Sequence, residues 1–434
     1  MMDRRNIKYY ARNILESELI RNATILISGT VIAQVIPVLL QPFLRRFFSP
    51  EAFGTYSVYL SLVAMIAVIT SLRYDDAVVL PKEDSDSANV LFLSLLFNFF
   101  INLALFLIIV FFGRKLIILL NIPSELPVSI LYLIPLSVFL LNTYQSFNYW
   151  LIRQKKYYAV TSNKLVRRGT EGLSLVIFAV LRYPKGLIYS DIFGQVANAA
   201  VTIFNSIRSG FKISSFNRSA MGSVLREYSD FPKYNLIPAF MSACSYYLPT
   251  ILINKYYSPE MTGYFDLSKL LLSIPLAFIA TSVSNVLLQR ISERFSKNES
   301  FVNDLKPLFY IVLLICIVEL AAILLFSREI FDIAFGKNWR VSGEISRIMV
   351  WSFTLNFFVS SFSCVFISMQ RIKTYSIWQL IYFISIISLL LFKNLVFKDF
   401  LRVYVVIEVV CYVFLAAMMI WMVKGYELSL RKAK

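Results

Sequence analysis

Apolar runs of about 20 residues recur along the whole chain, separated by short polar segments. A run of that length spans the ~30 Å hydrocarbon core of a bilayer as an α-helix. The runs cover approximately 22–44, 54–72, 88–112, 128–151, 163–181, 187–207, 235–256, 263–288, 307–326, 345–369, 374–392 and 401–423. The pattern therefore predicts an all-α integral membrane protein with about twelve transmembrane helices. The pair 163–181 and 187–207 fits least well. Arg167, Arg168 and Glu171 sit at one end of it, and a short Tyr183-Pro184-Lys185-Gly186 turn divides it. Residues 1–21 are polar and charged, with Arg4, Arg5, Lys8, Arg12 and Arg21, and show no cleavable signal pattern. The first run is thus expected to stay as a helix.

The polar punctuation repeats. Ser49-Pro50-Glu51-Ala52-Phe53-Gly54 reappears as Ser258-Pro259-Glu260-Met261-Thr262-Gly263, each copy preceded by two aromatics, Phe47-Phe48 and Tyr256-Tyr257. Gln154-Lys155 is echoed by Gln370-Arg371. Echoes between corresponding loops argue for duplication. Six helices per half, an even number, give both halves the same orientation. The expected architecture is two parallel-repeat six-helix lobes about an axis along the membrane normal, enclosing a central cavity. The boundaries expected are 1–21 for a cytoplasmic amino-terminal segment, 22–207 for the first lobe and 208–234 for a cytoplasmic linker. The second lobe covers 235–423 and a cytoplasmic tail 424–434. Within the repeat, serine suits a helix cap, proline the first turn and glutamate the positive helix end, so the motif reads as structural.

Composition agrees with the pattern. Hydrophobic residues make up 58% of the chain and charged residues 16%, too few charges for a soluble protein of this length. The net charge of +17 reads as loop cations facing anionic membrane lipids, not as a nucleic-acid surface. With the amino terminus inside, the inner segments carry about twice as many lysines and arginines as the outer loops, which places both termini in the cytoplasm. The strongest inner clusters are Arg153/Lys155/Lys156/Lys164/Arg167/Arg168 and the stretch from Arg208 to Lys233. The chain has no histidine, which excludes a Ser-His-Asp triad, a histidine metal site and a histidine relay. Cys244, Cys316, Cys364 and Cys411 lie far apart in apolar runs, without zinc-ligand spacing, and are expected to be packing residues.

Several stretches resemble a known family. Phe47-Phe48-Ser49-Pro50-Glu51-Ala52-Phe53-Gly54-Thr55-Tyr56, Ser71-Leu72-Arg73-Tyr74-Asp75 and Val78-Val79-Leu80-Pro81 resemble the bacterial polysaccharide biosynthesis flippases, which turn over O-antigen and capsule repeat units. Phe231-Pro232-Lys233-Tyr234 and Tyr256-Tyr257-Ser258-Pro259-Glu260-Met261-Thr262-Gly263-Tyr264 resemble the start of the second lobe in that family. Multidrug and toxin extruders and the peptidoglycan lipid-precursor flippase belong to the same superfamily. The resemblance implies a V-shaped pair of lobes. It implies a polyprenyl-diphosphate-linked oligosaccharide as cargo, carried from the inner to the outer leaflet of the bacterial cytoplasmic (inner) membrane. It also makes a polysaccharide polymerase and chain-length machinery candidate partners. No enzymatic activity, cofactor or metal is expected.

Such a cargo needs cations for its diphosphate and polar side chains for its sugars. Lys269, about two turns into the eighth run, is the first cationic candidate, since a cation deep in a span costs roughly 2.5–3.5 kcal/mol on insertion scales. Its alternative is a local pair with Asp266. Arg45 and Arg46 end the first run and Arg73 the second. Each suits phosphate oxygens or a headgroup anchor, and Asp75 is a candidate partner for Arg73. Gln34, Pro37 and Gln41 share one helix face, as do Asn142, Gln145 and Tyr149; these faces either line a sugar path or bond between helices. Pro37 and Pro42 are expected to bend the first helix, and Pro238 and Pro249 the seventh. Glu319 and Glu408 are isolated carboxylates within runs, candidates for coupling to H+ or Na+ or for an interhelical bond. Two other classes remain open. A drug/cation antiporter needs carboxylates in its cavity, and the first run has none. A polysaccharide polymerase or glycosyltransferase would rely on Asp84-Ser85-Asp86 or a large outer loop, and the expected outer loops are short.

Overall fold

A computed structural model describes residues 18–121, 129–183, 185–212 and 217–432. Arg4, Arg5, Lys8 and Arg12 of the amino-terminal segment and Pro184 of the expected turn lie outside the described residues, as does the side chain of Arg21. Among the described residues twelve long helices follow one another: α1 Glu18–Phe47, α2 Pro50–Thr70, α3 Asp84–Leu120, α4 Ser129–Arg153, α5 Tyr157–Val180 and α6 Gly186–Arg208, then α7 Leu236–Tyr256, α8 Pro259–Ser296, α9 Val302–Phe335, α10 Arg340–Phe362, α11 Ile372–Ile387 and α12 Phe397–Lys432. Ten stretches are long and apolar enough to cross a membrane. α1, several of whose side chains lie outside the described residues, and α5 are not among them; the first half of α5 carries Lys164, Arg167, Arg168 and Glu171. The chain is a multi-pass, all-helical membrane protein.

The repeated motif starts two of these helices in the same way. Ser49 Oγ accepts from Ala52 N at 3.3 Å, and Ser258 Oγ accepts from Met261 N at 3.1 Å. Ser258 is extended (φ −162°, ψ 160°), Pro259 opens the first turn and Glu260 follows it, so cap, proline and dipole partner each take their expected place. Proline bends are only partly as expected. Pro37 and Pro42 lie inside α1 and Pro249 inside α7. Pro238 does not interrupt mid-helix. It falls in the first turn of α7, just after a π-helical turn Phe231–Asn235 that already opens the hydrogen-bond ladder.

The chain forms two compact units: Met1–Phe48 with Leu62–Ile118 and Pro123–Phe240, and Ser49–Ser61 with Leu119–Ile122 and Met241–Lys434. In the first, α5 lies against α1 and α6. Lys164 Nζ donates to Thr30 Oγ1 (2.9 Å), and a methyl at Gly29 would fall 1.9 Å from Thr161 Cγ2. The segment between the halves is folded onto this unit. Its helix Arg218–Glu227 places Val224 in a core with Leu91, Phe147, Trp150 and Phe211, and Tyr74 Oη donates to the Leu225 carbonyl at 3.1 Å. Arg153, one of the inner cations expected to face headgroups, instead organises the 79–84 loop. It bonds Asp84 and the Lys82 carbonyl, each at 2.9 Å, and the Pro81 carbonyl.

In the second unit α10 is central, packed by α8, α9 and α12. The amino-terminal half of α2 joins it, so both copies of the repeated motif meet there. A Cβ on Gly54 would lie 1.7 Å from the Pro259 carbonyl oxygen, and one on Gly263 would lie 1.9 Å from that of Pro50. Glycine is required at both positions by backbone approach. Trp339, fully buried beside this crossing, packs edge-on against Phe53 and Tyr264.

Candidate functional site

The second unit holds a cavity of about 190 Å³ walled by α2, α7 and α8, and Lys269 is in its lining. Ser57, Ser61, Tyr246, Tyr247, Thr250, Asp266 and Ser273 contribute the other polar groups. Lys269 is buried. Its Nζ donates to the Tyr246 carbonyl at 2.6 Å and lies 3.5 Å from the centroid of the Tyr246 ring and 5.6 Å from that of Tyr247. The ring face attracts the ammonium and the carbonyl oxygen accepts its hydrogen bond. Asp266, the local partner considered from sequence, lines the same cavity and accepts from Ser57 Oγ at 2.9 Å. Ser57 and Asp266 are 209 residues apart, the spacing of the motif repeat, so equivalent positions of the two copies touch. Asp266 and Glu408 both act on the Lys269 charge through space. The cavity has room for a phosphate or one polar ring but lies below the ~300 Å³ at which drug-sized sites begin.

Arg73 belongs to a second polar node, in the first unit. Leu72 (φ 49°) and Arg73 (φ 63°) are both left-handed, an uncommon conformation for side-chain-bearing residues, and turn the chain sharply after α2. The turn aims Arg73 at Asp76, not at Asp75 as sequence proximity suggested, with an ion pair of 2.6 Å. Tyr149 Oη donates to the same Asp76 at 2.8 Å, so two residues nominated separately share a partner that was not. Arg73 Nε is buried without an acceptor among the described residues. Asp75 is buried and accepts from Ser71 Oγ at 2.6 Å; burial pushes its carboxyl above the ordinary range against that hydrogen bond.

The other nominated residues separate. Asn142 is fully buried and donates to the Ala67 carbonyl at 2.7 Å and to Thr70 Oγ1, so it bonds α4 to α2 and lines no described cavity. Gln145 is half-buried on the same helix. On α1, Gln34 is exposed, while Gln41 is half-buried and accepts from Arg45 Nε at 3.0 Å; Arg45 is buried and Arg46 exposed. Glu319 accepts from Thr354 Oγ1 at 2.7 Å, joining α9 to α10. Glu408 is buried in the second unit and accepts from Tyr382 Oη at 3.0 Å.

One charged cluster was missed as a unit. Asp191 of α6 is buried. It pairs with Arg167 at 3.5 Å and accepts from Gln195 Nε2 at 2.6 Å, while Arg168 pairs with buried Glu171 at 2.6 Å. Asp191 is a lone carboxylate in an apolar run, the signal that singled out Glu319 and Glu408. The four cysteines are buried free thiols. Among the described residues no three metal-ligating side chains are grouped to hold an ion.

A sequence profile of the family described as "Polysaccharide biosynthesis protein" matches residues 43–344. Curated proteins give no match. Solved structures similar to this one include a multidrug resistance MATE family transporter of the MOP superfamily in an inward-facing conformation. It has a TM-score of 0.70 at 12% identity, over 91% of this chain and 95% of that one. The lipid II flippase MurJ, in an inward closed conformation, has a TM-score of 0.71 at 14% identity, over 94% of this chain and 91% of that one. A MOP superfamily transporter from Pyrococcus furiosus has a TM-score of 0.56 at 14% identity, over 94% of this chain and 95% of that one. At these identities the likeness is one of fold.

Proposed function

The chain belongs to the polysaccharide biosynthesis protein family and has the fold of MOP-superfamily transporters, and from that premise we propose that it carries polyprenyl-diphosphate-linked oligosaccharide repeat units from the cytoplasmic to the outer leaflet of a bacterial inner membrane, for surface polysaccharide assembly. The observation that carries this reading is Lys269, a cation held in a polar, aromatic-walled cavity inside an otherwise apolar unit. A diphosphate cannot cross hydrocarbon unaided. Lys269 supplies a charge-assisted donor to one phosphate, while Tyr246, Tyr247, Ser57 and Ser61 offer hydroxyls to sugar or phosphate oxygens. Arg73, with an open Nε, is the corresponding cation of the first unit; Arg45 and Arg46 serve as anchors near the headgroups. Both termini face the cytoplasm, where loop cations meet anionic lipids. The polymerase and chain-length machinery are the partners that would receive the product.

Glu408 is the proposed coupling group. When protonated it leaves the Lys269 charge to the cargo; when ionised it competes for that charge and favours release. The likeness in fold to MurJ, a lipid II flippase, supports a lipid-linked cargo. A drug/cation antiporter is the weaker reading, because the buried cation opposes a cationic cargo. Deleting the gene in its host tests the proposal. Lipid-linked repeat units are expected to accumulate on the inner leaflet with loss of surface polysaccharide. Normal surface polysaccharide in a strain without a paralogue rejects it.

A further inference from the structure

A larger cleft lies elsewhere in the second unit and shares no residue with the Lys269 cavity. It measures about 710 Å³, within the roughly 300–1,000 Å³ typical of small-molecule sites. The start of α9, the end of α10 and the last turns of α12 form its walls. Its floor is apolar, with Phe309, Phe358, Phe362, Ala416 and Met419. Its rim carries three cations, Lys306, Lys424 and Arg431, all exposed.

Several surface cations of this unit are paired, among them Arg294 with Glu299 and Asp304, Arg340 with Asp332, Arg402 with Asp399, and Arg328 and Lys398 with Glu344. Lys306, Lys424 and Arg431 form no ion pair among the described residues. Lys306 donates to Asn303 Oδ1 at 3.0 Å. The one rim carboxylate, Glu427, accepts from Ser300 Oγ at 2.8 Å. The rim is also held in place. Tyr426 stacks on Phe301 (centroids 5.5 Å apart) and donates to the Glu299 carbonyl at 3.1 Å, clipping the end of α12 to the α8–α9 loop.

We propose that this cleft binds one anionic glycerophospholipid, with its phosphate among Lys306, Lys424 and Arg431 and an acyl chain along the apolar floor. Lys424 and Arg431 are seven residues apart and share a face of α12. From Arg431 to Ala416 the helix rises about 22 Å, the order of length of an acyl chain. The cations are exposed at a helix end, where a headgroup phosphate lies. The assignment to the cytoplasmic leaflet, whose anionic lipids suit this rim, rests on the orientation proposed above.

The test uses the full-length protein purified in neutral detergent, with native mass spectrometry to count retained lipid. The probes are phosphatidylglycerol, phosphatidylcholine, glycerol phosphate and a polyprenyl phosphate. Wild type is expected to retain one phosphatidylglycerol in preference to phosphatidylcholine and to ignore glycerol phosphate. The triple variant Lys306→Gln/Lys424→Gln/Arg431→Gln is expected to lose roughly tenfold or more of that retention, while Ala416→Phe, which fills the floor, loses it with the cations intact. Equal retention of the two phospholipids, an unchanged triple variant, or displacement by glycerol phosphate or polyprenyl phosphate overturns the site. Retention is read without transport, so a protein that holds the lipid but moves no glycan would reject the proposed function and leave this site standing.

Discussion

Replacing Gly54 by alanine puts a methyl group 1.7 Å from the Pro259 carbonyl oxygen and 2.9 Å from Gly263 N. Ordinary carbon contacts lie near 3.5 Å, so the helices must separate locally by about 2 Å. Neither opposing atom belongs to a side chain that can rotate away. Overpacking of this kind costs about 1–3 kcal/mol, and a clash of backbone with backbone belongs at the upper end. Alanine's better helix propensity returns about 0.5–1 kcal/mol. The net expectation is a loss of about 2 kcal/mol, read as a lower thermal midpoint of the purified protein by tryptophan fluorescence. Gly169→Ala on α5 is the control, because nothing lies within 4 Å of its added Cβ; its midpoint should hold or rise. Gly54→Ala with Gly263→Ala should cost less than the two singles together, since both force open the same helix crossing. A Gly54→Ala protein melting with or above wild type would show that α2 and α8 do not meet as described.

Asn142→Ala removes two buried interhelical bonds, and such bonds average about 0.6 kcal/mol in membranes; the expected result is a melting loss of about 1 kcal/mol with little change in transport per folded molecule. A transport defect without a stability defect would make Asn142 a lining residue instead. Glu408→Gln mimics the protonated acid while keeping an acceptor for Tyr382; transport in proteoliposomes is expected to lose its dependence on an imposed proton gradient. Unaltered dependence would assign coupling elsewhere.

The helices were legible because apolar runs of spanning length alternate with capped turns. Their ends were less so. α8 continues through Gln289–Ser296 and α12 through Lys424–Lys432, where charged helix formers follow the apolar stretch with no proline, so hydropathy stops before the helix does. Lys269 stood out because a cation in an apolar run demands a partner or water. Its partners did not, since Tyr246, Tyr247 and Ser57 are unremarkable in membrane helices and come together only through the crossing of α2, α7 and α8. Asp76 was passed over for Asp75 because the two successive left-handed residues at Leu72–Arg73, which decide where the arginine points, carry no glycine to announce them. Asn142 and Gln145 share a helix face, yet only packing separates the buried member from the half-buried one.

The most direct measurement is the flux of lipid-linked oligosaccharide in proteoliposomes containing equal amounts of wild-type, Lys269→Ala and Lys269→Arg protein. A charge-assisted bond to phosphate contributes about 1.5–3 kcal/mol, so flux should fall roughly 10- to 100-fold in Lys269→Ala and recover in part in Lys269→Arg. Wild-type flux from Lys269→Ala would contradict the assignment of this lysine to the cargo.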